Sequence, residues 1–159
     1  GQAPHEWAPD AFTDAEARAG LQAVLDAAGA AADEVPAAWA SLRLNEALEH
    51  AWQLVERANE FVDRTKPWEL AKDPARRAEL ATTLSALLES LRLVAIWAWP
   101  AMPGKCEELW TTLGLPGSPG EQAATAAQPA FGPTEPRTIG PSRILFPRID
   151  LKQALGEGA

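Results

Sequence analysis

The chain has 159 residues, a formal net charge of −8 and one cysteine, which is the size of one domain with a core of its own. A domain that grips nucleic acid alone is usually basic, so the charge argues against that class, although it leaves room for a domain that reads a few bases. The lone cysteine excludes an internal disulfide and a multi-cysteine metal site.

Two long helices are predicted in the first half of the chain, and the many alanines and the absence of tyrosine favour helices over a sheet. The segment Thr13–Glu16 has the capping-box pattern, which predicts a first helix over about 14–31. A second helix is expected over about 33–64, with Pro36 in its first turn and a bend near 41–45.

The second helix carries an apolar stripe and ends at a predicted chain reversal. The segment Thr65–Pro67 should break the helix, because the residue before a proline avoids the helical region. Pro67 then suits the first turn of a short helix, Trp68–Lys72. The stripe recurs at steps of three and four residues and consists of Leu44, Ala47, Leu48, Ala51, Trp52, Val55, Ala58, Asn59 and Val62.

A third long helix and a short last helix complete the predicted bundle. Asp73 should cap a helix that runs to about Trp99, and a last helix over 104–113 should end at Gly114, which suits a left-handed C-cap. The third helix has a wide apolar stripe that is expected to face the core. That stripe consists of Leu80, Leu84, Leu87, Leu88, Leu91, Val94 and Ala95.

These elements divide the chain into three parts. Residues 1–115 form an all-α, antiparallel helical bundle, and residues 116–138 form a linker rich in Pro, Gly and Ala. Residues 139–159 form an irregular tail whose apolar segment Ile144–Pro147 should pack back. No run of 18 apolar residues predicts a membrane span, and the polar N-terminus is unlike a signal peptide.

No catalytic residue and no metal site is predicted. His5 and His50 lack neighbours that would suggest a triad or a metal site. Cys106 lies near a predicted helix N-terminus, which can activate a thiol, but without a nearby histidine it is expected to be inert.

Tryptophan is unusually frequent, with seven residues. Trp52 and Trp97 fall on apolar faces and are expected in the core, whereas Trp99 is either core or a plug at a helix end. Trp68 follows the chain break and has charged neighbours. Its indole could pack in the core or offer a flat surface on which a base or a proline stacks, and the residues leave both open.

Asn59 interrupts the apolar stripe of the second helix. A buried amide needs hydrogen-bond partners, and the reversal at Thr65–Pro67 offers free backbone groups. We therefore expect Asn59 to support the turn that carries Trp68, in preference to contacting a ligand.

The run Ala58–Lys72 resembles the anticodon-binding domain of methionyl-tRNA synthetases, whose signature has Ala-Asn, an aromatic and a hydrophobic residue, Asp, Pro-Trp and Ala-Lys in that order. The resemblance covers about 42–115 and 139–150. Related synthetases for Ile, Val, Leu and Cys share the bundle, but the Pro-Trp and C-terminal elements favour methionine. The other segments that resemble the family are Leu44–Val55, Leu80–Trp99, Pro100–Pro103 where the family usually has Pro-Phe-Met-Pro, Leu113–Leu115 and Leu145–Ile149.

The resemblance implies a function and a site. The family charges tRNA(Met) with methionine at the expense of ATP, through an aminoacyl-adenylate, and its helical domain reads the CAU anticodon. The residues that match Pro67 and Trp68 lie at the anticodon site, where the indole stacks on an anticodon base. The implied partners are that anticodon and the catalytic domain of the same enzyme, with no membrane partner, and the implied location is the cytoplasm.

Several parts of the family pattern have no match in this chain. The HIGH-type and KMSKS-type signatures and the zinc-bearing insertion are absent, so ATP and zinc are implied only for a catalytic part outside the chain. This chain alone should therefore be inactive. An asparagine and an arginine of the family lie on an earlier helix, expected before residue 1. The alternative is a stand-alone helical protein-interaction module, derived from such a domain and without tRNA binding.

Overall fold

The computed structural model describes residues 2–4, 6–124, 131–132 and 137–147. Within these ranges the chain forms helices and no strand, apart from an isolated bridge between Gln2 and Thr138, so the predicted all-α helical bundle is confirmed. Two short 3-10 turns, Pro9–Ala11 and Pro74–Arg76, precede longer helices. The helices are α1 Ala15–Ala40, α2 Leu44–Thr65, α3 Pro67–Leu70, α4 Arg77–Trp97, α5 Pro103–Thr112 and α6 Pro119–Ala123.

Helix α1 is continuous where the sequence predicted two helices. Asp14, not Thr13, is its N-cap, and its carboxylate accepts a hydrogen bond from the amide of Ala17 at 2.8 Å. Pro36 lies inside the helix, and the buried face that packs along α2 continues past it. Burial of this face outweighs the one backbone hydrogen bond that the proline removes. The face includes Leu21, Val24, Ala28, Ala31, Val35 and Ala38.

Helix α1 ends in a Schellman motif that contains a strained leucine. The amide of Leu42 donates to the carbonyl of Trp39 at 3.0 Å, and the amide of Arg43 donates to the carbonyl of Ala38 at 2.9 Å. Leu42 has φ +56° and is 81% exposed. It therefore occupies the left-handed position that favours glycine and gains little from burial.

Replacing Leu42 with glycine should raise the free energy of unfolding by about 0.5–1 kcal/mol, because relief of the left-handed conformation exceeds the entropy that glycine adds to the unfolded chain. Urea denaturation followed by circular dichroism measures the change. Leu42→Ala is the control, since it also removes the exposed side chain but keeps the β-carbon. Equal stabilities of the two variants would contradict the assignment of strain to this residue.

The core lies between α1, α2 and α4. Trp97 is buried, as predicted, and its carbonyl accepts a hydrogen bond from the indole N–H of Trp39 at 2.9 Å, which ties the end of α4 to the end of α1. Asp73 caps the turn before α4 as predicted, accepting from the amide of Ala75 at 2.9 Å. The largest fully buried apolar side chains are Phe12, Phe61, Leu54, Leu70, Leu93, Ile96, Val24 and Val35.

The predicted core-facing stripe of helix α4 is only partly confirmed, because Leu87 and Val94 pack against the core and Ala95 is buried, whereas the other leucines of the stripe do not enter it. Leu91 is 41% exposed, and the other four leucines of the stripe, with Val94, are only half-buried, whereas Ala95 is buried. We call the leucines that do not pack against the core, Leu80, Leu84, Leu88 and Leu91, the leucine face. The buried residues of α4 are instead largely small or polar, and they include Glu79, Thr82, Thr83, Ser85, Ala86, Glu89 and Ser90.

The N-terminal segment explains why polar side chains of α4 are buried. The amide of Ala8 donates to Oγ1 of Thr82 at 3.0 Å, and the hydroxyl of Ser85 reaches the carbonyl of Pro4 at 3.2 Å. Glu89 is 3% exposed and accepts two hydrogen bonds from the guanidinium of Arg92, at 2.6 and 2.9 Å. These partners satisfy backbone and charged groups that burial would otherwise penalise.

By length and composition alone, the helical stretch Pro74–Trp97 passes for a membrane span. More than half of its most apolar 18 residues are buried inside the bundle. It also buries the carboxylates of Glu79 and Glu89, each with an arginine partner. This is the behaviour of a central helix in a bundle.

The predicted linker 116–138 contains a helix that was not predicted. Ser118 and Glu121 form a capping box at the start of α6. Gly120 lies under the indole of Trp99, where a β-carbon would come within 2.6 Å of the ring, and this indole donates to Glu107 at 3.1 Å. Trp99 therefore plugs the space between α4, α5 and α6, the second of its two predicted roles.

The described part of the tail contacts α5 first and then leaves the bundle. Gly114 ends α5 with φ +68°, as predicted. The guanidinium of Arg137 donates to the carbonyl of Leu113, and the amide of Gly140 donates to the carbonyl of Thr112, both at 2.8 Å. Residues 144 and 146, an isoleucine and a phenylalanine, are 79% and 61% exposed. Residues 125–130, 133–136 and 148–159 of the predicted linker and tail lie outside the described residues.

Candidate functional site

The predicted chain reversal after α2 is confirmed, and one left-handed residue makes it. Lys66 has φ +45° and ψ +65°. Its amide donates to the carbonyl of Val62 at 2.8 Å and closes α2, while its carbonyl accepts from the amide of Glu69 at 2.7 Å and opens α3. The two helices therefore meet at a sharp corner whose next residues are Pro67 and Trp68.

Buried residues anchor this corner from below. Thr65 is 6% exposed, and its hydroxyl donates to the carbonyl of Phe61 at 2.7 Å. Leu70, at the other end of α3, is 1% exposed. The ring of Phe61 is fully buried and meets Phe12 edge-on. A short helix of four residues is thus fixed on a rigid base.

Trp68 lies on the outside of this base. Its side chain is 54% exposed, and the neighbouring Pro67 is half-buried. The residues alone left open whether the indole packs in the core, and the structure places it on the surface. An exposed indole on a rigid turn is a flat apolar surface with little conformational entropy to lose on contact with a ligand.

Asn59 does not lie where it was expected. It is exposed on α2, so the prediction of a buried amide is wrong. Trp52, predicted in the core, is 40% exposed along the same side of the helix. Among the described residues no hydrogen bond joins Asn59 to the turn, which is held by Thr65 and Lys66 instead. The face of α2 that does enter the core consists of Ala47, Ala51, Leu54, Phe61 and Thr65.

Positive charge is concentrated around Trp68. Residues 64–77 contain five lysines or arginines and two acidic residues, in a chain whose net charge is −8. Lys72 pairs with Glu69 at 2.7 Å. This cluster is visible in the sequence as a local charge count, which the net charge of the whole chain conceals.

One arginine of this cluster is held firmly. Arg76 pairs with the buried Glu79 at 2.7 Å. Its hydrogen bonds to that carboxylate raise the pKa of Arg76 above its ordinary value, so the guanidinium stays charged.

The other candidate residues are structural. Cys106 is 5% exposed, and burial, helped by the charge of Glu107, raises the pKa of its thiol to about 11, which fits the inert role predicted for it. Nδ1 of His50 lies 2.8 Å from a carboxylate oxygen of Glu34, between α2 and α1. His5 lies outside the described residues. In the described ranges no group of three or more His, Cys, Asp or Glu is placed to hold a metal ion.

Comparison with known proteins connects the chain to one group of enzymes. No protein-family model matches it. It is 38% identical over 117 residues to the methionine–tRNA ligase of Clostridium acetobutylicum and 39% identical over 115 residues to that of Caldanaerobacter subterraneus. These matches cover 73% and 72% of this chain but 17% of each relative, so the chain spans about a sixth of their length.

Solved structures lead to the same group. Methionyl-tRNA synthetase of Mycobacterium tuberculosis superimposes with a TM-score of 0.73 and 25% identity, both bound by methionyl-adenylate and in its apo form. The two superpositions cover 92% and 94% of this chain, and 27% and 28% of the solved chains.

Proposed function

We propose that this chain, a relative in sequence and fold of one part of the methionyl-tRNA synthetases, is a tRNA-binding domain that contacts the anticodon of tRNA(Met) through Pro67 and Trp68. One observation carries the proposal: the indole of Trp68 is 54% exposed on a rigid corner of an acidic chain. The basic segment 64–77 contains that same corner. An aromatic surface with basic neighbours is what a single-stranded nucleic acid needs from a protein.

The binding step follows from the geometry of the corner. An unstacked base of the anticodon loop lies on the indole, and this stacking contributes about 1–3 kcal/mol. Pro67 restricts the backbone next to the indole, and the anchored Thr65 and Leu70 keep the corner in place before RNA arrives. Since every base has a face that stacks, Trp68 supplies affinity more than sequence discrimination. Recognition of CAU then requires hydrogen-bonding groups elsewhere in the protein.

Aminoacylation itself belongs to a catalytic part that this chain does not match. The relatives are methionine–tRNA ligases, and the chain spans 17% of the length of each of the two compared here. The proposed domain positions tRNA(Met), in the cytoplasm, while the catalytic part uses ATP, and zinc where it is present. The chain by itself would be inactive.

Apolar surface supports a second contact, with that catalytic part. The leucine face lies on the outside of α4, and Leu80 and Leu84 also line a cleft of about 890 Å³ beneath the N-terminal segment. The tail has exposed apolar residues of its own, Ile144 and Phe146. Exposed apolar surface of this kind suits contact with another protein or domain. The same surface favours the alternative function, a helical interaction module without tRNA binding.

Binding of a labelled RNA hairpin tests the proposal. The hairpin carries the anticodon loop of tRNA(Met). The control is a fully paired duplex with the same total number of phosphates, which therefore has the same charge but no unstacked base. Fluorescence anisotropy should show clearly tighter binding of the hairpin. A third RNA with a changed anticodon measures how much of the sequence this chain reads. Failure to bind any of them at low salt would leave the interaction module as the better explanation.

A further inference from the structure

A notch lies beside the Trp68 corner, between the end of α2 and the start of α1. Its volume is about 190 Å³. It brings residues from both helices, α3 and the turn before α4 together in one place. The charged residues that line it are Arg64, Lys66, Arg76, Asp14, Glu69 and Glu79.

The carboxylates of this notch are already engaged. Asp14 caps α1, Glu69 pairs with Lys72, and Glu79 pairs with Arg76. Arg64 and Lys66 are exposed and form no ion pair within the described part of the chain. The notch therefore holds two cations, Arg64 and Lys66, that pair with no carboxylate of the described residues, and both side chains are exposed to solvent.

The position of Arg64 is set by a residue without a side chain. A β-carbon on Gly20 would lie 3.4 Å from Cδ of Arg64 and 3.0 Å from the ring of Phe61. The glycine thus leaves room for the arginine stem beside α1, and Arg64 is one of the residues that line the notch. Asp63 is exposed as well but does not line the notch, because successive helical residues point about 100° apart.

Lys66 occupies its position at a cost. A residue other than glycine in the left-handed region loses about 1–2 kcal/mol, and glycine would hold the same corner without that loss. Backbone strain of this kind suggests a functional side chain. Lys66 directly precedes Pro67 and Trp68 in the chain, and it lines the notch beside them.

We infer that Arg64 and Lys66 bind backbone phosphates of the RNA strand whose base stacks on Trp68. The inference rests on the proposed function and adds the second half of the contact. The fork of the guanidinium suits two oxygens of one phosphate, and the ammonium provides a point charge for a neighbouring one. Base stacking and phosphate binding then come from residues within five positions of one another.

The salt dependence of hairpin binding tests this inference. Each lost phosphate contact should reduce the slope of log K against log salt concentration by about 0.7, so Arg64→Gln combined with Lys66→Gln should reduce it by about 1.4. Both residues are exposed, so the double variant should fold with a free energy of unfolding within about 0.5 kcal/mol of the parent. The control is Arg57→Gln, which removes one positive charge from α2, half of what the double variant removes, at a residue already paired with Glu60 at 2.8 Å.

A second variant separates charge from backbone. Lys66→Gly relieves the left-handed strain and should be more stable than the parent, yet it should lose the same slope of about 0.7. Lys66→Arg keeps the charge and should keep the slope. A stable Lys66→Gly variant with an unchanged slope would overturn the role of Lys66.

The remaining outcomes distinguish this inference from the proposed function. If Trp68→Ala weakens binding while the double variant keeps the parental slope, the phosphate site is wrong and the stacking site stands. A slope loss of about 0.7 in Arg57→Gln, the amount expected for one phosphate contact, would mean general electrostatics and would overturn the site. Absence of hairpin binding by the parent chain would remove both.

Discussion

Replacing Phe61 with alanine should lower the free energy of unfolding by about 3–5 kcal/mol, the range found for deleting a buried aromatic side chain. The ring of Phe61 is fully buried, and its centroid lies 6.0 Å from that of Phe12 at an interplanar angle of 65°. Because a domain of this size is stable by about 5–15 kcal/mol, the loss is a large share of the total. Urea denaturation followed by circular dichroism measures it.

The same deletion at an exposed position is the control. Phe146 is 61% exposed, so Phe146→Ala should change the free energy of unfolding by less than about 0.5 kcal/mol. The hydroxyl of Thr65 donates to the backbone carbonyl of Phe61, which alanine keeps, so the expected loss comes from the ring packing and not from this hydrogen bond. If the two alanine variants were equally stable, the packing beneath the corner would be described wrongly.

The local features of the fold were predictable because they depend on neighbouring residues. Pro67 forbids continuation of α2, and the chain breaks at Lys66 as predicted. The carboxylate of Asp73 and the conformation of Gly114 act within one turn of helix, and both were predicted correctly. The shift of the first N-cap from Thr13 to Asp14 shows the limit, since either side chain can cap.

Which side chains of α4 are buried was only partly predictable, because their burial depends on distant segments. Periodicity located an apolar stripe on this helix, but it does not say which segment covers that stripe. In the structure the N-terminal segment hydrogen-bonds to Thr82 and Ser85, and it draws the polar side of α4 inward.

The predictions for Trp52 and Asn59 were wrong for a related reason. Both residues lie next to the buried face of α2. A pattern of three- and four-residue steps does not distinguish the buried positions from these neighbouring exposed ones.

The candidate site was half predictable. The break and the tryptophan after it were evident from the residues, whereas the exposure of Trp68 depends on what lies over α3. The notch beside Trp68 joins Arg64 of α2 to the start of α1, more than forty residues away in sequence. No local sequence pattern predicts this contact between distant residues. Gly20, which leaves room for it, reads in the sequence only as a residue of low helix propensity.

Replacing Trp68 with alanine should weaken binding of the anticodon-loop hairpin by about 5- to 150-fold, which corresponds to about 1–3 kcal/mol of lost stacking. The indole is 54% exposed, so the variant should fold, with a loss of less than about 1 kcal/mol in the free energy of unfolding. Fluorescence anisotropy at one fixed salt concentration measures the affinity. The salt slope should stay at its parental value, because the indole carries no charge.

Trp52→Ala is the matched control, since it deletes the same side chain at a position that is 40% exposed and lies on α2, outside the basic cluster 64–77. Its hairpin affinity should equal that of the parent. Trp68→Phe should fall between parent and alanine variant, because a smaller ring still stacks. Should Trp52→Ala weaken binding as much as Trp68→Ala, the loss would follow from removing any exposed indole, and the corner at Lys66–Trp68 would no longer be the site.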